Sequence, residues 1–461
     1  MRARSTGQEH QTVAPVYNLY FEGHSFAIKA ILKDSRMLKD RYGNPLSTTS
    51  DAAQAAYIDA VDRFLAAEGG VEEAFQAAIT ADGNFALAHM GLARFYQMRG
   101  DKALIALPLD KALSLQNAVS PQEAGQINTL GLLLQGKVGA AVANIHAHLA
   151  DYPRDVMISQ TCMGVFGLIG FSGQPGREAE QLAFTTALAP HYGDDWWFLS
   201  MHAFAQVEVG QIARAEKNIE NSLNTNPRSA HGAHIRAHLY YENGDATAGA
   251  HYLDTWRQTY DKTGMLHCHI AWHVALWALE LGDEKTMWRV YDADIAPGAA
   301  LGPPINILTD AAALLYRAEL AGIDIAAARW RVLSEYATQF FPKPGLAFVD
   351  VHAALAHAMA GDTVSLSKII SDAKGPAAEF VRGFAQAFEA VIAKKWDLAV
   401  SYFTVAMSDH ARVGGSNAQR DLLELATAFA MLRAGHDTSA RTMLSMRRPI
   451  ACTPSMMKGL K

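Results

Sequence analysis

Cysteine is scarce in this chain: three residues in 461, Cys162, Cys268 and Cys452. Their number is odd and their spacing matches no metal-ligand pattern. Neither a disulfide framework nor a cysteine-based zinc site is expected, and a reducing compartment is. Charge is sparse as well. Only 19% of the residues are charged and the formal net charge is −6. The chain lacks the basic field that a phosphate backbone calls for, so nucleic acid is not an expected partner. No run approaches the roughly 18–20 apolar residues of a membrane span, and residues 1–10 hold no apolar signal core. The expectation is a soluble, cytoplasmic protein with no membrane partner. Strand-type alternation of useful length is missing. So are the phosphate-cradling G-x-x-x-x-G-K-S/T, the Rossmann G-x-G-x-x-G and the G-x-S-x-G nucleophile turn.

What the chain does have is apolar material, 50% of its residues, ample for a large core. It also has a repeat. Taking Gly210 as a turn between two helices, Ala203 lies seven residues before it. Ala215, Ile219, Ser222 and Pro227 lie five, nine, twelve and seventeen after. This is the spacing of a tetratricopeptide unit, whose period is about 34 residues. Small residues let paired helices approach, glycine ends the first helix without a Cβ penalty, and proline stops the second. The register recurs more loosely at Gly100, Gly244, Gly282, Gly361 and Gly435. The predicted architecture is all-α: an α-solenoid of tetratricopeptide-like helix-turn-helix repeats over residues 41–446. A 1–40 extension and a 447–461 tail flank it. Residues 102–140 and 296–345 fit the register poorly and read as degenerate pairs. The glycine-punctuated run Met163 to Phe171 reads as a buried helix near a turn. Asn18 to His24 resembles a protease-recognition sequence, and residues 1–40 are set aside from the fold argument.

The polar residues follow the same register. With the hinge glycine numbered 15, positions 2, 5, 6 and 9 of the first helix face the concave side in repeats of this class. Three- and four-residue steps keep them on one stripe. Before Gly244 these positions hold His231, His234, Ile235 and His238. Before Gly282 they hold His269, Trp272, His273 and Leu276. Before Gly361, position 6 is His352, with Asp350 two residues earlier. Two adjacent repeats thus each offer a His-x-x-x-His pair. Three readings remain open: histidines hydrogen-bonded within a narrow core, a pocket for a peptide or small polar ligand, and a metal site. For the last, His234, His238, His269 and His273 would give imidazole nitrogens to a divalent transition metal such as zinc, and Asp350 would add an oxygen. The zincin pattern is missing, since isoleucine follows both His234 and His269. Trp196, Trp197 and Phe198 read chiefly as core and secondly as an apolar wall for the cluster.

Near the C-terminus, Gly414-Gly-Ser-Asn-Ala-Gln-Arg-Asp421 contains an S-x-x-Q capping box, Ser416 with Gln419. Capping does not require Asn417 or Arg420. Arg420 either grips a ligand carboxylate or pairs with an acid of a neighbouring repeat. Cys268, between His267 and His269, reads as a small buried residue before it reads as a nucleophile.

Taken together, Asn44-Pro-Leu-Ser-Thr-Thr-Ser50, the paired histidines His234 and His238, Cys268 to Leu276, Asp310 with Leu315-Tyr-Arg317, Phe348 to His352, and Gly414 to Asp421 resemble the tetratricopeptide repeat protein 38 family. The resemblance spans about residues 40 to 446. It implies that His234, His238, His269, His273, Asp310, His352, Asn417 and Arg420 belong to one constellation. It implies no particular reaction, and His231 and His267 have no counterpart in it. The expected function is a solenoid that binds a peptide segment or small polar ligand in a histidine-lined concave groove, with Trp272 and Asp350 among the lining residues. The alternative is a hydrolase, metal-dependent or not, using the same histidines. Self-association of the array is compatible with either.

Overall fold

The computed structural model describes residues 37–446 and 456–459. The 1–36 part of the extension, most of the 447–461 tail, Cys452 and the Asn18 to His24 segment lie outside them. Among the described residues are 22 α-helices and a single isolated bridge, Lys39 with Pro45. The helices run as antiparallel pairs in chain order, an all-α solenoid of tetratricopeptide-like units.

The unit predicted around Gly210 forms as read. Helices Trp196–Glu208 and Ile212–Thr225 flank the glycine. Ala203, Ala215, Ile219 and Ser222 are buried between them, and the Ser222 hydroxyl donates to the Trp196 carbonyl at 2.6 Å. The six hinge glycines all adopt left-handed φ, between 70° and 84°, where any other L-residue would be strained. Gly249 shows why a small residue recurs after the hinge. A Cβ there would sit 2.6 Å from the Trp277 ring, which is itself 1% exposed.

The two poorly registered stretches are helical with irregular joints. Short 3₁₀ turns bracket Ala106–Leu115, and a one-turn π-helix, Tyr291–Ile295, leads into the 296–303 loop before Pro304–Ala321. One expectation fails. Residues 163–176 form turns, not a helix. Gly164, Gly173 and Gly176 take positive φ, and Gly170 lies so close to the Val165 carbonyl that a Cβ would fall 2.2 Å from its oxygen. This coil folds inward: Phe166 packs on His269 and Phe348 at 6.4 and 5.4 Å between ring centres.

The last repeats return to the first half of the array. Buried Arg177 donates to the carbonyls of Gly170, Ala411 and Gly415, at 3.1, 2.5 and 2.7 Å. Tyr241 donates to Asp421 at 2.7 Å. The Ala230–Glu242 helix sits on the seam between two apolar cores. Ala233, Ala237 and Tyr241 enter one, Ile235 and Leu239 the other, and His234 and His238 are left on the line between them.

Candidate metal centre and its pocket

The two His-x-x-x-His pairs meet. Ala230–Glu242 carries His234 and His238, and the neighbouring first helix His267–Glu280 carries His269 and His273. Each histidine offers one ring nitrogen to a group in which all four atoms lie within 4.8 Å of one another, and all four side chains are buried. Ring centres of His234 lie 4.7 and 5.1 Å from those of His269 and His273. His238 is 4.8 Å from His273. Phe204 closes one side at 4.9 Å from His238, and Trp272 stacks on His269 at 5.3 Å.

Three details bear on what this group can hold. The Nε2 atoms of His234 and His238 are 2.9 Å apart. That is a hydrogen-bond distance; tetrahedral ligands with metal–nitrogen bonds of about 2.1 Å stand about 3.4 Å apart, so this pair would open by about 0.5 Å to hold zinc. Both ring nitrogens of His273 lack a hydrogen-bond partner among the described residues although the side chain is 1% exposed; a buried imidazole left so forfeits its hydration with nothing in return. Finally, Asp310, from Pro304–Ala321, takes a hydrogen bond from His269 Nδ1 at 2.8 Å. This fixes the tautomer that presents Nε2, the second-shell arrangement typical of metal-binding histidine. Burial, helped by the neighbouring imidazoles, holds His234 and His273 well below the ordinary histidine range. Both are neutral near pH 7, the protonation state a metal ligand needs. Burial raises the Asp310 carboxyl, with His269 opposing it.

The remaining predicted residues lie elsewhere. His352 is buried, gives its Nδ1 hydrogen to the Phe348 carbonyl at 2.7 Å and stands outside the group of four. Its helix, Ala347–Ala360, follows Pro304–Ala321 in the order of first helices, and each helix step moves the chain about 8–10 Å, so Asp310 reaches His269 where His352 does not. Asp350 accepts from the Gly345 amide at 2.9 Å and joins no metal group. Asn417 donates through its backbone to Glu208 at 2.8 Å. Arg420 pairs with Glu178 at 3.0 Å and with Asn417 Oδ1 at 2.7 Å. These two residues fasten the C-terminal helix to the 177–208 helices. The capping box forms as expected, and Ser50 of the Asn44–Ser50 motif caps Asp51–Ala66. Cys268 is buried with its thiol pushed up by burial, as a structural cysteine.

A cavity of about 140 Å³ is bordered by His231, His234 and His269 on one side and by apolar residues such as Trp197, Met201 and Phe204 on another; His238 and His273 are not among its lining residues. Trp197 was anticipated as an apolar wall; Met201, Phe204 and Arg94 were not. The signal was present: before Gly210, positions 2, 6 and 9 are Trp197, Met201 and Phe204, and before Gly100 position 9 is Arg94.

No family model matches the chain. Solved structures with a similar course are a tetratricopeptide repeat protein from Parabacteroides merdae, human IFIT1 as a dimer with m7Gppp-AAAA, and yeast Tom70. The first is 14% identical, covering 66% of this chain and 98% of that one, with a TM-score of 0.32. IFIT1 is 15% identical, over 87% and 90%, with a TM-score of 0.42. Tom70 is 13% identical, over 87% and 93%, with a TM-score of 0.34. The likeness is to the helical-repeat fold. It also corrects one expectation: IFIT1 holds an RNA, so nucleic acid cannot be struck out as a partner from an acidic net charge. Net charge sums over a whole surface, whereas phosphates are met by local groups. No helix of the described residues is long and apolar enough to cross a membrane.

Proposed function

We propose that this solenoid is a metal-binding protein in which His234, His238, His269 and His273 hold one divalent transition-metal ion beside a ligand cavity. The observation that carries the reading is the convergence of four buried imidazole nitrogens within 4.8 Å. Nitrogen donors favour zinc, copper, nickel or iron over calcium or magnesium. Asp310 orients His269, and Trp272 and Phe204 keep water from the cluster. His234 and His269 border both the cluster and the cavity, so a small polar ligand there would lie against the metal site. That shared wall favours a second reading, hydrolysis of the bound ligand. An ion in this position supplies Lewis-acid polarisation or an activated water, and the chain supplies the orienting carboxylate and the dry surroundings. The resemblance to the tetratricopeptide repeat protein 38 family supports the reading, since it implies that these histidines belong to one constellation, and the buried free thiols Cys162 and Cys268 suit a reducing, cytoplasmic setting. Titration of metal-free protein with Co²⁺ tests the proposal. The expected result is visible ligand-field bands saturating at about one equivalent, reduced or lost in His273→Ala. Absence of those bands in the folded wild-type protein contradicts it.

A further inference from the structure

Arg94 stands in the same cavity as His231, His234 and His269. It comes from the Ala86–Arg99 helix and is 8% exposed. Its surroundings are neutral. One terminal nitrogen donates to the Gln97 side chain, the other reaches Gln160 Oε1 at a long 3.4 Å, and Nε has no acceptor. No carboxylate among the described residues pairs with it. Burial lowers its pKa to about 10, so it remains a cation at neutral pH. A buried, uncompensated guanidinium is costly, because the ion has left water without gaining a counter-charge. Two other buried arginines have a counter-charge from within: Arg177 and Arg420 both reach Glu178, at 2.9 and 3.0 Å. Of these three, Arg94 is the one that lines the cavity of about 140 Å³, and it has no carboxylate partner among the described residues.

Much of the remaining cavity wall is apolar, with Met98, Trp197, Met201, Phe204 and Met265. Its volume of about 140 Å³ is close to the roughly 150 Å³ of an apolar cavity that accepts benzene. Size, wall and charge together define an occupant. We infer that the cavity binds a small carboxylate amphiphile, with its carboxylate on the Arg94 guanidinium and an apolar body of about one aromatic ring among the methionines and Trp197. This deepens the proposed ligand cavity and rests on that part of the proposal; it does not require the metal. The guanidinium offers paired N–H donors that match a carboxylate in plane, and Gln160 and Asn306, also in the wall, can hydrogen-bond the same oxygens.

The test is calorimetric titration of the purified full chain with 3-phenylpropionate and with 3-phenylpropan-1-ol, in metal-free and Co²⁺-loaded protein. Arg94→Met keeps the apolar stem of the side chain and removes a buried charge, so it is expected to fold. Circular dichroism and a melting curve check that. The expected result is acid binding at least tenfold tighter than alcohol binding, in metal-free protein as well. In Arg94→Met the acid should lose at least tenfold in affinity while the alcohol is unchanged. Equal binding of acid and alcohol, or undiminished acid binding in Arg94→Met, overturns the inference. So does binding of the acid only when Co²⁺ is present, which would put the carboxylate on the metal. Failure of Co²⁺ to bind leaves this result standing and counts against the metal reading alone.

Discussion

Arg177→Met should cost this protein several kcal/mol, and the structure allows the figure to be built up. The side chain is 2% exposed and donates to three backbone carbonyls, of Gly170, Ala411 and Gly415. Two of these lie 234 and 238 residues away along the chain. Methionine keeps the apolar stem and loses every donor. Leaving a buried acceptor unmade costs roughly 1–3 kcal/mol, so three give about 3–9 kcal/mol. Against this stands the relief of burying a charge. The Arg177 pKa is depressed to about 10, chiefly by burial, and removing that penalty returns about 3 kcal/mol. Taking about 3 from about 3–9 leaves a loss of about 0–6 kcal/mol, centred near 3, read from guanidinium-induced unfolding. The loss should be localised: amide exchange should quicken at 164–171 and 411–418, the segments the guanidinium ties together, before it quickens in the Trp196–Glu208 helix. Unchanged exchange in both segments would refute the view that this arginine ties the 164–177 stretch to the last repeats.

Three further outcomes follow from single sites. Gly249→Ala should destabilise by about 1–3 kcal/mol in thermal melts despite the better helix propensity of alanine, because its Cβ meets the immobile Trp277 ring. Asp310→Asn should leave the fold intact and weaken Co²⁺ binding by about 10–100-fold in a competition titration, since it removes the carboxylate that orients His269. Asp350 has a carboxyl raised to about 6 by burial. Its native state therefore holds the proton more tightly than the unfolded chain, whose value is near 3.9. The group's contribution to stability is greatest below pH 4 and falls as pH rises to about 6. Asp350→Asn should be more stable than wild type at pH 7, by at most about 3 kcal/mol, and the two should converge near pH 4 in urea titrations.

The solenoid was legible in the sequence because its punctuation is local. A glycine at left-handed φ, an alanine seven residues before it and small residues after it state a helix pair without reference to the rest of the chain, as the 196–225 unit shows. The histidine pairs were legible for the same reason, since a four-residue step and adjacent repeats fix them side by side. Asp310 entered through family resemblance, and the distance that makes it His269's partner depends on how far one first helix is displaced from the next. The same displacement separates His352 and Asp350 from the cluster. The 163–176 coil was misread because apolar content suggested helix, while three positive-φ glycines and a fourth packed against a carbonyl dictated turns. Arg177 and Arg94 carried no local signal of their importance. The first acts across more than 230 residues, and the second matters for a counter-charge that no neighbouring residue provides.

The most direct measurement of the account is elemental mass spectrometry on tag-free protein, beside the double variant His269→Ala/His273→Ala, each passed over the same desalting column after equilibration with zinc. A four-histidine centre predicts about one zinc ion per chain retained by the wild type and none above background in the folded double variant. Equal zinc in both, or none in either, would contradict a metal centre built from these four histidines.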